Sequence, residues 1–184
     1  MSKVLVLSGH PNLAQSFANK TILTELESSR LDLTIRRLDG LYRDLTDDVA
    51  TEQKALLEAD TLVLQFPFHW YSVPALLKNW IDKVLGFNFA YGPEGDKLKG
   101  KNFILSFTIG GPAESYQPLG YNHFNIEELI KPLQQTAYLA QMNYLPPVYT
   151  HSMIYIPGVY NTEEEVVGRA KEHAARLSQL LTSL

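Results

Sequence analysis

Short apolar runs alternate with stretches of helical periodicity along the whole chain. Five runs predict strands, at residues 4–7, 33–38, 61–66, 102–108 and 148–155. Apolar residues three and four apart predict helices at 14–27, 51–57, 74–85 and 126–142, and a last helix begins after Thr162. This alternation predicts an α/β fold with a parallel sheet between two helical layers. We expect one domain over residues 1–184, a doubly wound five-stranded sheet in the order 2-1-3-4-5.

Several residues within this pattern predict local structure. Thr51 is the expected N-cap of its helix. Pro74 lies in the first turn of the next helix, as is typical of a helix start. Pro132 is expected to bend or restart the helix at 126–142. Residues 88–100, which combine aromatic residues with glycine, predict an irregular excursion that we place near the carboxyl end of the sheet.

Composition narrows the possible functions. The 184 residues suit one core, and a net charge of −4 argues against a nucleic-acid partner, because phosphate backbones require a basic surface. The absence of cysteine excludes disulfides, thiolate catalysis and cysteine-ligated metal centres. We expect no metal site, and interpret Asp47 and Asp48 as a solvated loop. No signal-like segment precedes the first strand and no apolar run approaches 18 residues, so a cytoplasmic protein is expected.

In an open α/β sheet, ligands bind beyond the carboxyl ends of the strands, at the point where the strand order reverses. The loop after the first strand, residues 9–19, is polar and leads into a helix, whose N-terminus favours a phosphate group. His10, Ser16 and Asn19 are candidate side-chain donors there. Ser16 also suits a plain helix cap, so this loop alone leaves both interpretations open.

The loops after the third and fourth strands are also unusual. Residues 67–74 place three aromatic residues and a histidine directly after a buried strand, which suits a flat aromatic ligand. The alternative is a core or interface role for Phe68 and Trp70. In residues 108–116, Gly110 and Gly111 allow backbone N–H groups to approach a ligand and stabilise negative charge, or form a simple turn. Taken together, the three loops indicate a flavin mononucleotide site.

The same residues resemble the flavodoxin-like NAD(P)H:quinone oxidoreductase family, which includes DT-diaphorase. The resemblance covers nearly the whole chain and is greatest to short bacterial members, among them ancillary subunits of glutathione-gated potassium efflux systems. Its most specific stretch is residues 65–80. The supporting matches are residues 9–11, residues 16–19, Gly110 with Gly111, Tyr116, and Asn122 with His123.

The resemblance implies a flavodoxin-like enzyme that uses FMN, rather than FAD, and reduces quinones with NAD(P)H by two-electron, ping-pong hydride transfer. FMN is favoured because the chain lacks the C-terminal extension of the larger, FAD-using members. A homodimer with shared active sites is also implied. The alternative is a regulatory ancillary subunit of a membrane potassium-efflux transporter with secondary quinone reductase activity.

The resemblance also implies roles for individual residues. The flavin phosphate and ribityl chain would contact His10, Ser16, Phe17 and Asn19. The isoalloxazine edge would contact Pro67, Phe68, Trp70 and Tyr71, with His69 in the same loop. The pyrimidine end would contact Thr108, Ile109, Gly110 and Gly111. Tyr116 and His123 resemble the pair thought to assist hydride transfer, although Asn122 holds the spacing found in the larger enzymes. His151 and His173 are interpreted as structural or exposed.

Two other classes with this topology fit less well. A phosphoryl-accepting receiver domain requires acidic residues after its first strand and an aspartate at the end of its third. This chain has Gly9 and His10 at the first position and Phe66 and Pro67 at the second. An electron-carrier flavodoxin requires a loop rich in serine, threonine and glycine and a strongly acidic face, and neither is present.

Overall fold

The computed structural model describes residues 2–41 and 48–184 and contains the parallel sheet that the sequence predicts. The central order is β2-β1-β3-β4, and two short strands both pair with β4, so the predicted order 2-1-3-4-5 is confirmed. The strands are β1 Val4–Ser8, β2 Leu33–Arg37, β3 Thr61–Pro67, β4 Asn102–Thr108, β5 Asn143–Tyr144 and β6 Val148–Thr150.

The edge beyond β4 differs from the prediction of one strand over residues 148–155. β5 pairs with the start of β4 and β6 pairs with its end. Pro146 and Pro147 lie between them and have no N–H groups to donate, so the ladder is interrupted. After Thr150 the chain leaves the sheet, and Ser152 adopts a φ of 57°. Residues 153–155 are therefore free to form part of a loop.

The helices cover both faces of the sheet, as expected. They are α1 Phe17–Glu27, α2 Leu38–Leu41, α3 Val49–Glu58, α4 Ala75–Val84, α5 Ile126–Leu129, α6 Lys131–Leu139 and α7 Glu163–Thr182. Among the described residues, none of these helices has the length and apolar character needed to cross a membrane.

Three helix starts bear on the sequence predictions. Thr51 is not an N-cap: the Asp48 carboxylate caps α3 by accepting the Thr51 N–H at 3.1 Å, so α3 begins two residues before Thr51. Asp48 thus has a capping role, and Asp47 lies outside the described residues. Pro74 is the N-cap of α4 rather than a residue of its first turn. The restart near Pro132 is confirmed, because α5 and α6 are separate helices.

The core has two layers, because successive strand residues face opposite sides of the sheet. Leu5, Leu64 and Phe103 belong to the layer under α3, α4 and α6. Val63 and Ile104 belong to the layer under α1 and α7. β1 and β3 are buried along their whole length, which explains their nearly continuous apolar sequences.

The irregular segment over residues 88–100 lies at the amino end of the sheet, so its expected position at the carboxyl end is wrong. Helix α4 runs back from the carboxyl end of β3, and β4 must begin beside β3. The connection between α4 and β4 is therefore confined to the opposite end of the sheet. Asn102 N–H donates to Asp60 O, just before β3, and Gly100 N–H donates to Gln141 O. Phe89 and Leu98 are buried in the core there.

Candidate functional site

A cleft of about 370 Å³ opens beyond the carboxyl ends of β1, β3 and β4, where the three unusual loops meet. The predicted site residues that line it are His10, Ser16, Phe17, Asn19, Pro67, Phe68, His69, Thr108 and Gly110. The lining also includes residues that the sequence analysis missed: Gln15, Ala18, Met153, Ile154, Tyr155 and Val166. Residues 153–155 were missed because they were predicted to continue a strand.

The first loop ends in a well-formed helix start. The Ser16 hydroxyl accepts the Asn19 N–H at 3.0 Å, so Ser16 is an N-cap. This cap is compatible with anion binding, since the hydroxyl keeps its own proton and first-turn residues Phe17 and Ala18 have N–H groups without intrahelical acceptors. The Asp39 carboxylate accepts the Leu13 N–H at 2.8 Å and holds the preceding turn in place.

Two neutral imidazoles lie in the cleft wall. His10 Nδ1 accepts the Asn12 N–H at 3.0 Å, which leaves the proton of the neutral ring on Nε2 as a donor. Burial lowers the pKa of His10, and the nearby His69 lowers it further. Burial also lowers the pKa of His69. Among the described residues, no Asp, Glu, Lys or Arg side chain lines this cleft, so its donors are uncharged at neutral pH.

The second loop contains a strained two-residue turn. His69 and Ser72 exchange N–H···O bonds of 3.0 Å, and the central residues Trp70 and Tyr71 have φ angles of 47° and 62°. Such a type I′ turn normally holds asparagine or glycine, because left-handed backbone costs other residues roughly 1–2 kcal/mol each. The N–H groups of the two aromatic residues take no part in the turn's own bonds.

The aromatic residues of this loop divide between the core and the surface. Phe68 packs against Phe107, with ring centroids 5.4 Å apart, and against Tyr116 at 6.5 Å. Trp70 is 92% exposed, and Tyr71 Oη donates to Asn122 Oδ1 at 2.9 Å. Of the three aromatic residues in this loop, only Phe68 lines the cleft.

Neither glycine of the third loop has a left-handed backbone angle, and a Cβ at either position would make only ordinary van der Waals contacts within the chain. A Cβ on Gly111 would lie 3.4 Å from Tyr116 Cε2, and one on Gly110 would lie 3.7 Å from Ile154. Ile109 differs from its neighbours, because its side chain is fully buried and its N–H donates to Thr150 O. Any ligand contact of Ile109 is thus limited to its backbone.

Tyr116 lies beside His151, a residue that the sequence analysis did not select. Their ring centroids are 5.3 Å apart, and His151 Nδ1 lies 3.3 Å from Gly111 O. A carbonyl oxygen only accepts hydrogen bonds, so Nδ1 is the donor and Nε2 of the neutral ring carries no proton. Burial raises the pKa of Tyr116 and lowers that of His151. No signal in the sequence marked His151, because the strand predicted over residues 148–155 enclosed it; only the structure ends β6 at Thr150.

The predicted histidine is not among the residues that line the cleft. His123 is exposed and has a φ of 62°, and the described ring contacts of Tyr116 are with Phe68 and His151. Asn122 is anchored by its N–H, which donates to Ser115 O at 2.8 Å, and by the hydroxyl of Tyr71. The structure therefore does not pair the Tyr116 and His123 rings.

Comparison with known proteins gives relatives of similar length. An uncharacterized NAD(P)H oxidoreductase of Bacillus subtilis (strain 168), YdeQ, is 49% identical over 144 residues, covering 78% of this chain and 73% of that protein. The glutathione-regulated potassium-efflux system ancillary protein KefF of Enterobacter sp. (strain 638) is 43% identical over 149 residues, covering 80% and 82%.

Solved structures agree with this fold. General stress protein 14 from Treponema denticola, in complex with FMN, superposes with a TM-score of 0.88 at 31% identity and covers 98% of each chain. A protein from P. pentosaceus described as an NADPH-quinone reductase has a TM-score of 0.77 at 28% identity and covers 94% of this chain and 97% of its own. The model of the flavodoxin-like fold family matches residues 2–180. The chain therefore belongs to the flavodoxin-like fold family, which confirms the resemblance seen in its sequence.

Proposed function

We propose that the protein is an FMN-dependent NAD(P)H oxidoreductase that reduces quinones by two-electron, ping-pong hydride transfer. The observation that carries this proposal is the single cleft at the switch point of the sheet. One end of the cleft has the donors of a helix start, and the other has Phe68 and Gly110. The related Treponema denticola protein, which was solved with FMN, supports the choice of cofactor.

The donor end of the cleft would hold the phosphate and ribityl groups. Ser16 and His10 each keep a donor proton, and the first turn of α1 adds N–H groups and the positive end of the helix dipole. Asn19 and Phe17 complete this end. Uncharged donors suit a tightly held phosphate, since no cationic side chain has to be desolvated.

The other end would hold the flavin ring. Pro67, Phe68 and His69 line the cleft there. The backbone N–H groups of Trp70 and Tyr71, which take no part in the turn's own bonds, would donate to the edge of the ring. FMN supplies reversible acceptance of a hydride when bound, and the protein supplies position and electrostatics. N–H groups at Gly110 and Gly111 would stabilise negative charge on a bound ring. Because one cleft serves both substrates in turn, ping-pong kinetics are expected.

Tyr116 would act as a proton donor at this end. Burial raises the pKa of its phenol, so the hydroxyl stays protonated at neutral pH. His123, which the family resemblance pairs with it, and His151, which contacts it, are the two candidates for proton exchange with solvent or with the tyrosine.

A homodimer is part of the proposal. Trp70, Leu119 and Tyr121 are between 87% and 103% exposed, and the bond between Tyr71 and Asn122 ties their two loops together at the cleft rim. A concentrated apolar rim of this kind is typical of a protein interface. A second copy covering the rim would place its own residues at the site.

The alternative function is a regulatory ancillary subunit of a potassium-efflux transporter with secondary reductase activity. The 43% identity to a KefF protein favours it. Reconstitution distinguishes the two. NADPH is added anaerobically to the FMN-loaded protein while the visible flavin band is followed, and menadione is then added. Fast bleaching and recovery support the quinone reductase, slow bleaching of bound flavin favours the ancillary subunit, and failure to bind FMN contradicts both.

A further inference from the structure

A continuous series of hydrogen-bonded polar side chains, most of them buried, crosses the core from α7 to the cleft. It begins at the surface with Arg176 and ends at Thr108 in the cleft wall. At the outer end, Thr150 Oγ1 lies 2.6 Å from Arg176 Nη2 and 2.9 Å from His173 Nδ1. In the middle, Ser106 Oγ lies 2.8 Å from His173 Nε2 and 2.5 Å from Gln65 Oε1. At the cleft, Gln65 Nε2 lies 3.0 Å from Asn19 Oδ1, and Asn19 Nδ2 lies 3.0 Å from Thr108 Oγ1.

The direction of the hydrogen bonds in this series follows from Arg176, at its surface end. A guanidinium only donates, so Thr150 accepts from Arg176 and its own proton is free for His173 Nδ1. The proton of the neutral His173 ring is then on Nε2. The opposite order would leave the Thr150 hydroxyl proton without an acceptor among the described residues. Burial lowers the pKa of His173 to about 3, which keeps the ring neutral at pH 7.

The same direction continues to the cleft. The Ser106 hydroxyl accepts a hydrogen bond from His173 Nε2 and donates one to Gln65 Oε1. The Gln65 amide group then donates to Asn19 Oδ1, and the Asn19 amide group donates to Thr108 Oγ1. Thr108 already accepts a hydrogen bond, so its own proton is free to point into the cleft. Ser16 is in the same state, because its oxygen accepts the Asn19 backbone N–H.

We propose that His173, Ser106 and Gln65 are positioning residues that fix the Asn19 amide and thereby turn the hydroxyl protons of Thr108 and Ser16 toward oxygen acceptors of the cofactor. The inference rests on the proposed function, because it takes FMN as the ligand. None of the three residues needs to touch FMN: each one limits its neighbour to a single orientation, so less ordering remains to be done on binding. Through His173, helix α7 thereby has a positioning role in addition to covering the sheet.

The chain contains a matched pair of variants for the test. Ser8 and Ser106 pair with Gln65 from the two neighbouring strands, and both are fully buried. Ser106 belongs to the series, whereas Ser8 Oγ has no hydrogen-bond partner among the described residues. FMN affinity of the apo protein is measured by quenching of flavin fluorescence. We expect Ser106→Ala to raise the dissociation constant on the order of tenfold, and Ser8→Ala to change it less than about twofold.

A second readout separates positioning from a merely structural role. Long-range ¹H–¹⁵N NMR spectra of the apo protein report which ring nitrogen of His173 is protonated, and we expect the proton on Nε2 from pH 6 to pH 8. His173→Gln, whose amide can still donate to Ser106, should retain FMN affinity within about threefold, whereas His173→Leu should lose on the order of tenfold.

Two results would overturn the inference: equal FMN affinity of the Ser106→Ala and Ser8→Ala proteins, or a proton on Nδ1 of His173. If the wild-type protein bound no FMN, the proposed function itself would be contradicted, and with it the ligand assigned to these hydroxyl groups. Unequal affinities of the two alanine variants, with the proton on Nε2, would support both the series and its direction.

Discussion

His151 lies against Tyr116, with ring centroids 5.3 Å apart and an angle of 52° between the ring planes. The bond from His151 Nδ1 to Gly111 O, at 3.3 Å, leaves Nε2 as the nitrogen able to take a proton. A phenol that stays protonated beside an imidazole that stays neutral is a suitable pair for moving a proton near neutral pH. The two rings come from the loops after β4 and β6, which are adjacent strands.

The contact with His151 predicts which histidine affects catalysis. We expect His151→Gln to slow reduction of bound FMN by NADPH by about 10- to 100-fold, because general acid–base groups contribute at least that much. His123→Gln should stay within about twofold of wild type, since His123 is exposed and makes no ring contact with Tyr116. Anaerobic stopped-flow spectroscopy measures both rates. A large loss only in His123→Gln would restore the pairing implied by the family resemblance.

Removal of the Tyr116 hydroxyl should affect the reaction but not the retention of the cofactor. Tyr116→Phe keeps the ring against Phe68 and His151, so FMN should remain bound. Flavin reduction should slow by about tenfold or more, because a donor to the reacting end of the site is lost. Tyr121→Phe, which removes a hydroxyl from an exposed ring, is the control. An unchanged rate in Tyr116→Phe would remove this residue from the mechanism.

The strained turn after β3 predicts a stabilising substitution. Asparagine adopts left-handed backbone more readily than tryptophan, and the Trp70 side chain is 92% exposed. Trp70→Asn should raise the free energy of unfolding by about 1 kcal/mol in urea titrations at low protein concentration. FMN affinity should be kept if the ligand contact is through the backbone N–H group. A lower stability would show instead that the indole ring contributes contacts, for example across a dimer interface.

Acid stability should depend on His173. Its folded pKa is about 3 and its ordinary value is 6.5, so between these pH values the unfolded chain binds a proton that the folded protein does not. Stability is therefore lost as pH falls below about 6.5, by about 2 kcal/mol at pH 5. His173→Gln should reduce the fall in melting temperature between pH 7 and pH 5. Acid sensitivity of His173→Gln equal to that of the wild type would contradict the prediction.

A buried carboxylate joins β2, α3 and α4. Glu52 is fully buried and accepts from Arg36 Nε at 2.8 Å and from Trp80 Nε1 at 2.9 Å. Glu52→Gln replaces one acceptor oxygen with a donor and removes the charge facing the guanidinium, so it should lower the free energy of unfolding by about 3 kcal/mol. Asp82→Asn, in the exposed pair with Lys78, should cost less than about 1 kcal/mol. Similar losses in urea unfolding would contradict this ranking.

The order of the strands and the three loops of the site could be predicted from the sequence alone. β1, β3 and β4 are nearly continuous apolar runs, and only a sheet buried on both faces accommodates them. Once parallel strands alternate with helices, right-handed connections bring the carboxyl ends of neighbouring strands together. The convergence of the loops that hold Ser16, Phe68 and Gly110 can therefore be predicted before any individual contact is known.

The partners and directions of individual side chains could not be predicted from the sequence and are evident only in the folded protein. Periodicity describes one segment at a time, so it did not reveal that His151 would meet Tyr116 across two loops, or that Trp70 would face outward while Phe68 faced inward. His173 resembled an ordinary helix residue until its ring nitrogens were seen to connect β4 and β6. The contacts of His151 and His173 join residues far apart in the chain, and they form only when the whole core is packed.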